Sequence, residues 1–358
     1  MGRDLFTIVS CFERGVTKNT TIEFFNPYKL FAMRAFDATR TIEGRTFVPS
    51  RTIDRIICIF FIHPSYMKRK EFNPFRILQW IVIVGLVYVI IIGLFSTDRV
   101  KNRTQSQNPY ELEKDGVCLL PNVLSDVEIV QLKQCCEQGN YKEAKRRLIQ
   151  HSEVKQRIQQ TLGDDYTFQD YIWIIQKSSV HTCHRDNNGD FFNEGQQYPS
   201  YTLLLYLEDM DKCLGVIPES HKDVNHSNAN LTNPVETLLC KKGDAILFNA
   251  NLIHVGIILP KDHLRIQMKV THRDDLEVLS YYQDFNKVLK KDNTLPLGLL
   301  QFQKNISCMC PYISNLSQRE NIKSARGTDN GETVGIGQKI FSSLFYGNAD
   351  FYDLPNAF

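Results

Sequence analysis

A chain of 358 residues with 42% hydrophobic and 23% charged residues has a globular composition, which excludes collagen-like, coiled-coil and wholly disordered architectures. Its length fits one large domain with an extension, or two domains. A net charge of +2 makes no case for a nucleic acid partner, ten cysteines are too few for a disulfide scaffold, and the absence of any Cys-x-x-Cys pair argues against a zinc ribbon.

The charge is unevenly spread. Residues 1–76 carry 13 Lys/Arg against 7 Asp/Glu, a net +6, with no clean periodicity and no assignable function. Ile77 to Phe95 (ILQWIVIVGLVYVIIIGLF) follows as 19 residues without a charge. A bilayer core takes about 20 apolar residues at helical rise, so this stretch is expected to be a single transmembrane helix, with the indole of Trp80 at headgroup level. It starts too late for a cleaved signal peptide, and Phe6 stands where N-myristoylation needs Ser or Thr. The basic amino segment favours an inside amino terminus. Asn-x-Ser/Thr sequons at Asn102, Asn225, Asn230, Asn305 and Asn315 agree with a lumenal or extracellular carboxyl domain. Residues 96–110 are polar and read as a tether.

A folded domain is expected over residues 111–316. Gly116–Leu120 reads as a strand. Ser125 with Glu128 matches a capping box opening a helix whose Val127, Val130 and Leu132 face a core. A second helix is expected over Tyr141–Leu162, with Ala144, Leu148 and Ile158 inward. Short β-rich runs then follow at 170–175, 200–207, 214–218, 244–248 and 265–270, separated by Gly, Pro, Asn and Asp, which argues for a sandwich or barrel. From Asp274 the pattern returns to helix, and 317–358 reads as a carboxyl-terminal extension, partly mobile, with its polar stretch at 317–333.

Two spots carry chemistry. In extended chain, residues i and i+2 share a face, so His184 and Asp186 of His184-Arg185-Asp186 can both face one ion. One further histidine completes the facial triad of non-haem Fe(II) oxygenases, and His254 in GDAILFNANLIHVG is the natural third ligand. Taken singly, each of these histidines is as well explained by a loop or a core position. A kinase catalytic loop is excluded, because position 191 is Phe where Asn is needed. Arg265 opens a strand on which Arg265, Gln267 and Lys269 share one face. Either these charges lie in water, or Arg265 points inward, where its guanidinium fork suits a carboxylate.

The arrangement resembles the phytanoyl-CoA dioxygenase family of Fe(II)/2-oxoglutarate oxygenases over about residues 110–272. The resemblance rests on DGVCLLPNVLS, His184-x-Asp186, LYLEDMDKCLGVIPESHK, and GDAILFNANLIHVG followed by Arg265, once each and in order. It implies a mainly β fold with flanking helices, a double-stranded β-helix or jelly-roll barrel. It implies His184, Asp186 and His254 as catalytic iron ligands, Arg265 as the 2-oxoglutarate anchor, and O2 as second cosubstrate. Glu219 replaces the glycine of the family's Ile-Pro-Gly-Ser-His turn, and His221 in that turn matches a position that is not a ligand. Asp186 favours hydroxylation, because halogenating relatives lack the carboxylate. The expected activity is hydroxylation of a small-molecule or lipid substrate by a membrane-anchored enzyme. The rivals are a catalytically silent tethered barrel and a cupin-type metalloenzyme that does not use 2-oxoglutarate. Oligomeric state is not legible.

Overall fold

In the computed structural model the chain divides into two compact units, Met1–Asn73 and Pro74–Phe358. The residues described are 74–95, 99–100, 109–177, 180–186, 189–224, 235–258, 263–290, 295–309, 336, 339–340, 343 and 356–358, all in the second unit. The basic segment up to residue 73, most of the 96–110 tether and most of the 317–358 extension lie outside them. So do the sequons at Asn102, Asn225, Asn230 and Asn315.

In chain order the helices are α1 (Pro74–Phe95), α2 (Leu112–Asp115), α3 (Asp126–Glu137), α4 (Tyr141–Gln150), α5 (Ser152–Leu162) and α6 (Leu297–Met309). The strands are β1 (Arg99–Val100), β2 (Val117–Leu120), β3 (Tyr166–Phe168), β4 (Tyr171–Ile175), β5 (Tyr201–Tyr206) and β6 (Met210–Val216). They continue as β7 (Glu236–Cys240), β8 (Ala245–Asn249), β9 (His254–Gly256), β10 (Arg265–His272) and β11 (Phe285–Leu289). One sheet has the order β1-β7-β6-β9; the other runs β11-β4-β10-β5-β8-β2, with β3 also on β10. Among the described residues only the β1–β7 and β11–β4 pairs are parallel. The result is a mixed α/β domain with jelly-roll-like sheets.

Alternation along the strands sorts two cores. On β5 and β8, Leu203, Leu205, Ala245 and Leu247 join Ile266, Met268 and Val270 of β10 in packing under α3, α4 and α5. Their neighbours Leu204, Tyr206, Ile246 and Phe248 face the other way, towards Leu214 and Val216 of β6 and Leu238 of β7. The period of two in these sequences therefore separates a helix-covered face from an inner face. The pairings Lys269↔Thr202, Gln267↔Leu204 and Arg265↔Tyr206 put those residues on the inner one.

Several expectations need correction. The capping box is present, with Ser125 and Glu128 bonded reciprocally, but the helix is turned: Val127 and Val130 are exposed, while Ile129, Leu132 and Cys136 are buried. The expected helix over Tyr141–Leu162 is two helices broken at His151, whose ψ of 115° leaves the helical region and whose Nδ1 accepts from the Val154 N–H. Beyond Asp274 the chain first makes short turns and strand β11, whose backbone pairs with β4, and the expected return to helix comes only at α6. Within the expected tether, Arg99–Val100 pairs with Glu236 and Thr237 of β7. Strand β7 was not anticipated.

The apolar stretch is helical, as α1. Among the described residues, however, no helix is long and apolar enough to cross a membrane. Near the end of α1, Gly93 lies against Phe302 of α6, and the Asn305 amide donates to the Gly93 carbonyl at 2.7 Å. Asn305 is thereby buried and bonded, which removes it as a glycan acceptor in this fold.

Candidate metal centre

The centre begins with a backbone exchange. The His184 N–H donates to the His254 carbonyl at 2.9 Å, and the His254 N–H donates back at 2.8 Å. This mutual bridge sets the two imidazoles side by side, with ring centroids 4.2 Å apart. His254 opens β9, opposite Val216 of β6, and its ring also tilts against Phe248 of β8. Two residues past His184, the Asp186 N–H donates to the Ala250 carbonyl at 3.0 Å, so the extended chain delivers imidazole and carboxylate to one face. One ligand atom from each of His184, Asp186 and His254 lies within 4.8 Å of the others.

The ring orientation fits a metal. His184 Nδ1 lies 2.8 Å from the Thr182 carbonyl, and His254 Nδ1 lies 3.0 Å from the Leu252 carbonyl. A carbonyl only accepts, so each Nδ1 carries the proton and each Nε2 presents a lone pair. Burial, with His254 beside it, pushes His184 down to about 3 and so keeps it neutral at pH 7. Burial likewise lowers His254. Burial alone would raise Asp186, but the charge and hydrogen bond of Lys269 carry its carboxyl well below the usual range. Two neutral imidazoles and one carboxylate suit non-haem Fe(II).

Two further residues hold the carboxylate. The Thr202 hydroxyl and the Lys269 ammonium both donate to Asp186 Oδ2, and Lys269 Nζ also reaches Thr202 Oγ1 at 2.8 Å. Lys269 is only 2% exposed and sits 5.7 Å from the Tyr171 ring centre and 5.6 Å from that of Tyr282. Sequence reasoning missed both residues. The signal for Lys269 was available, since alternation places it on the face of Arg265.

Arg265 starts β10, half-buried, between Tyr206 of β5 and Ile175 of β4. It is not part of the triad. The Tyr206 phenol is fully buried with its hydroxyl unpartnered, and the Arg265 charge acts on it. A guanidinium beside an orphaned buried hydroxyl is what a cosubstrate carboxylate would satisfy. Among the other histidines, His181 Nε2 pairs with Gln303 Oε1 at 2.8 Å, and the His221 ring donates to the Glu113 carbonyl at 3.1 Å. Neither joins the triad. Glu219 adopts φ 67°, the left-handed conformation glycine favours, so the turn survives the substitution at a strain of about 1–2 kcal/mol.

Residues 137–256 match the family model described as phytanoyl-CoA dioxygenase (PhyH). That span contains His184, Asp186 and His254 and stops short of Arg265. Among solved structures, HygX from Streptomyces hygroscopicus with nickel and 2-oxoglutarate bound is 16% identical, with a TM-score of 0.37 over 45% of this chain and 84% of that one. The non-heme alpha ketoglutarate dependent carbocyclase SnoK from nogalamycin biosynthesis is 16% identical, at 0.37, over 45% and 81%. AviO1 from Streptomyces viridochromogenes Tue57 is 16% identical, at 0.36, over 45% and 91%. At these values the likeness bears on neither substrate nor reaction. A search of the curated proteins gives no match.

Proposed function

We propose, from the premise that this chain carries a phytanoyl-CoA dioxygenase domain and is an Fe(II)/2-oxoglutarate oxygenase, that it hydroxylates a C–H bond of a small-molecule or lipid substrate at a membrane. The observation that carries the reaction class is the triad whose two Nδ1 atoms are spent on backbone carbonyls, leaving both Nε2 atoms and Asp186 converging on one point. When bound, Fe(II) with 2-oxoglutarate and O2 supplies the oxidation, and the cosubstrate leaves as succinate and CO2. The chain's own contribution is placement. His184, Asp186 and His254 approach from one side and leave the other open. Thr202 and Lys269 hold Asp186 Oδ2, which leaves Oδ1 to ligate. Arg265 and the Tyr206 hydroxyl would hold the distal carboxylate of 2-oxoglutarate, and the guanidinium fork fixes its orientation.

Membrane association is proposed through residues 77–95, and rests on their uncharged sequence and on exposed apolar side chains such as Leu78, Trp80, Ile81, Leu86 and Ile90. The basic amino segment and the sequons other than Asn305 support a single-pass chain with its carboxyl domain lumenal or extracellular.

The reaction is tested by incubating the full chain with Fe(II), 2-oxoglutarate and a metabolite and lipid extract. The expected result is succinate formation matched by a product heavier by one oxygen; succinate without an oxygenated product would leave only uncoupled turnover and remove the hydroxylase reading. Resistance to alkaline carbonate extraction tests the anchor, and an endoglycosidase shift tests the orientation. A chain washed off by carbonate is not membrane-inserted.

A further inference from the structure

Seven cysteines fall among the described residues, and four of them lie in two sulfur–sulfur pairs. Cys183 Sγ lies 2.6 Å from Cys308 Sγ, and Cys213 Sγ lies 2.7 Å from Cys240 Sγ. Unbonded carbon atoms rest about 3.5–4.0 Å apart, and sulfur is larger, so these pairs stand inside ordinary contact. We propose that Cys183–Cys308 and Cys213–Cys240 are the sites of two disulfide bonds, and that the first fastens α6 to the chain that presents the metal ligands.

The surroundings differ for the two pairs but lead to the same conclusion. Cys213 and Cys240 lie on neighbouring antiparallel strands, β6 and β7, where the register slips between Met210 and Leu214 and the Cys240 N–H points at Cys213 Sγ at 3.1 Å. Their bond would staple the irregular part of the smaller sheet. Cys183 and Cys308 are 125 positions apart and both fully buried, among Ile217, Val235, Ile253 and Val255. Cys183 immediately precedes His184, and the pair packs with Ile253 and Val255, which flank His254. The Cys183 N–H also donates to Ser307 Oγ at 2.9 Å, so backbone and side chain of Cys183 both meet α6. Cys118, Cys135 and Cys136 stand outside these pairs, which makes the assignment selective.

The oxidant is a small-molecule or protein disulfide. Each cysteine pair gives up two electrons and two protons, one S–S bond forms, and the incoming disulfide is cleaved to two thiols. Such bonds persist in oxidising compartments. The proposal therefore accords with a lumenal or extracellular carboxyl domain, yet it concerns the pairing and not the address.

The test keeps these two questions apart. The full chain is synthesised cell-free into lipid nanodiscs, in a glutathione redox buffer with a protein disulfide isomerase, so that pairing does not depend on compartment. Remaining thiols are alkylated with N-ethylmaleimide under denaturation, and unreduced peptides are mapped by mass spectrometry. The expected result is two linked peptides, Cys183–Cys308 and Cys213–Cys240, with Cys118, Cys135 and Cys136 alkylated. Alkylation of all four paired cysteines, or bonds to other partners such as Cys310, overturns the proposal. In secretory-pathway cells, glycosylation of the same chain reports orientation separately: an unglycosylated chain removes the lumenal reading and leaves the cell-free pairing result standing.

Discussion

Asp186 is a carboxylate with two competing claims on it, and this explains why the site can exist before a metal arrives. Lys269 and Thr202 hold one oxygen while the other faces His254 Nε2 at 3.6 Å. Replacing Lys269 by Met strands a buried carboxylate, which typically costs about 3–5 kcal/mol. A bound divalent cation offsets that loss, so the metal-induced rise in Tm should be larger for Lys269→Met than for the parent; equal rises would show that Lys269 does not compensate Asp186. Alanine at His184, Asp186 or His254 should abolish iron binding and turnover together, read by calorimetric titration, whereas His181→Ala and His221→Ala should keep the metal. Arg265→Ala should retain iron and lose 2-oxoglutarate affinity by about 2–5 kcal/mol, roughly 30- to several-thousand-fold. Arg265→Lys should recover part of that loss, because an ammonium lacks the fork. Unchanged 2-oxoglutarate affinity in Arg265→Ala would move the cosubstrate elsewhere. The grouping of His184, Asp186 and His254 was legible only from the motifs taken together, because His-x-Asp alone fits a loop equally well. Lys269 was not, because a charged residue on a half-exposed strand looks solvated until the strand's inner face is known.

At the scale of elements, local chemistry was easier to read than orientation. The capping box at Ser125 and Glu128 was legible because it depends on four consecutive residues, and Glu128 also bonds His151 across the break between α4 and α5. Ser125→Ala should therefore lower stability by about 1 kcal/mol, within roughly 0.5–2. Urea unfolding measures this, and an unmoved midpoint would mean the cap is formed equally well by water. Which face of α3 is buried was misread, because Val127 and Val130 have the hydropathy of core residues and only their packing partners decide. The strands around Leu203 and Ile246 were found because TLLLY and AILF are short apolar runs bounded by turn residues. Strand β7 and strand β11 were missed because ETLLC and FNKVL are short and carry charge, and β11 pairs with β4, which is distant in sequence.

For the whole molecule, the buried histidines set a pH dependence. His184 and His254 are held neutral in the fold, while in the unfolded chain they protonate near about 6.5. As pH falls through that value the unfolded state takes up protons the fold refuses, so stability declines by up to about 1.4 kcal/mol per pH unit for each. His181 and His221, also lowered by burial, add in the same direction. Asp190, raised by burial, opposes them as a single group. Asp186 is lowered, so its contribution is lost only as pH falls through the acidic carboxylate range, below this window. The metal-free protein should thus show a urea midpoint that drops steadily from pH 7 to 5. A level profile across that interval would mean the imidazoles are solvated.

The bridge between His184 and His254 also fixes an order of events. Seventy positions of chain separate the two, and each supplies the other's backbone partner. Such non-local pairs form only after the cost of closing the intervening loop has been met. A half-folded chain therefore offers only the local His184–Asp186 pair, and the third ligand arrives when the loop to His254 has closed. The complete chelate is a product of the finished fold.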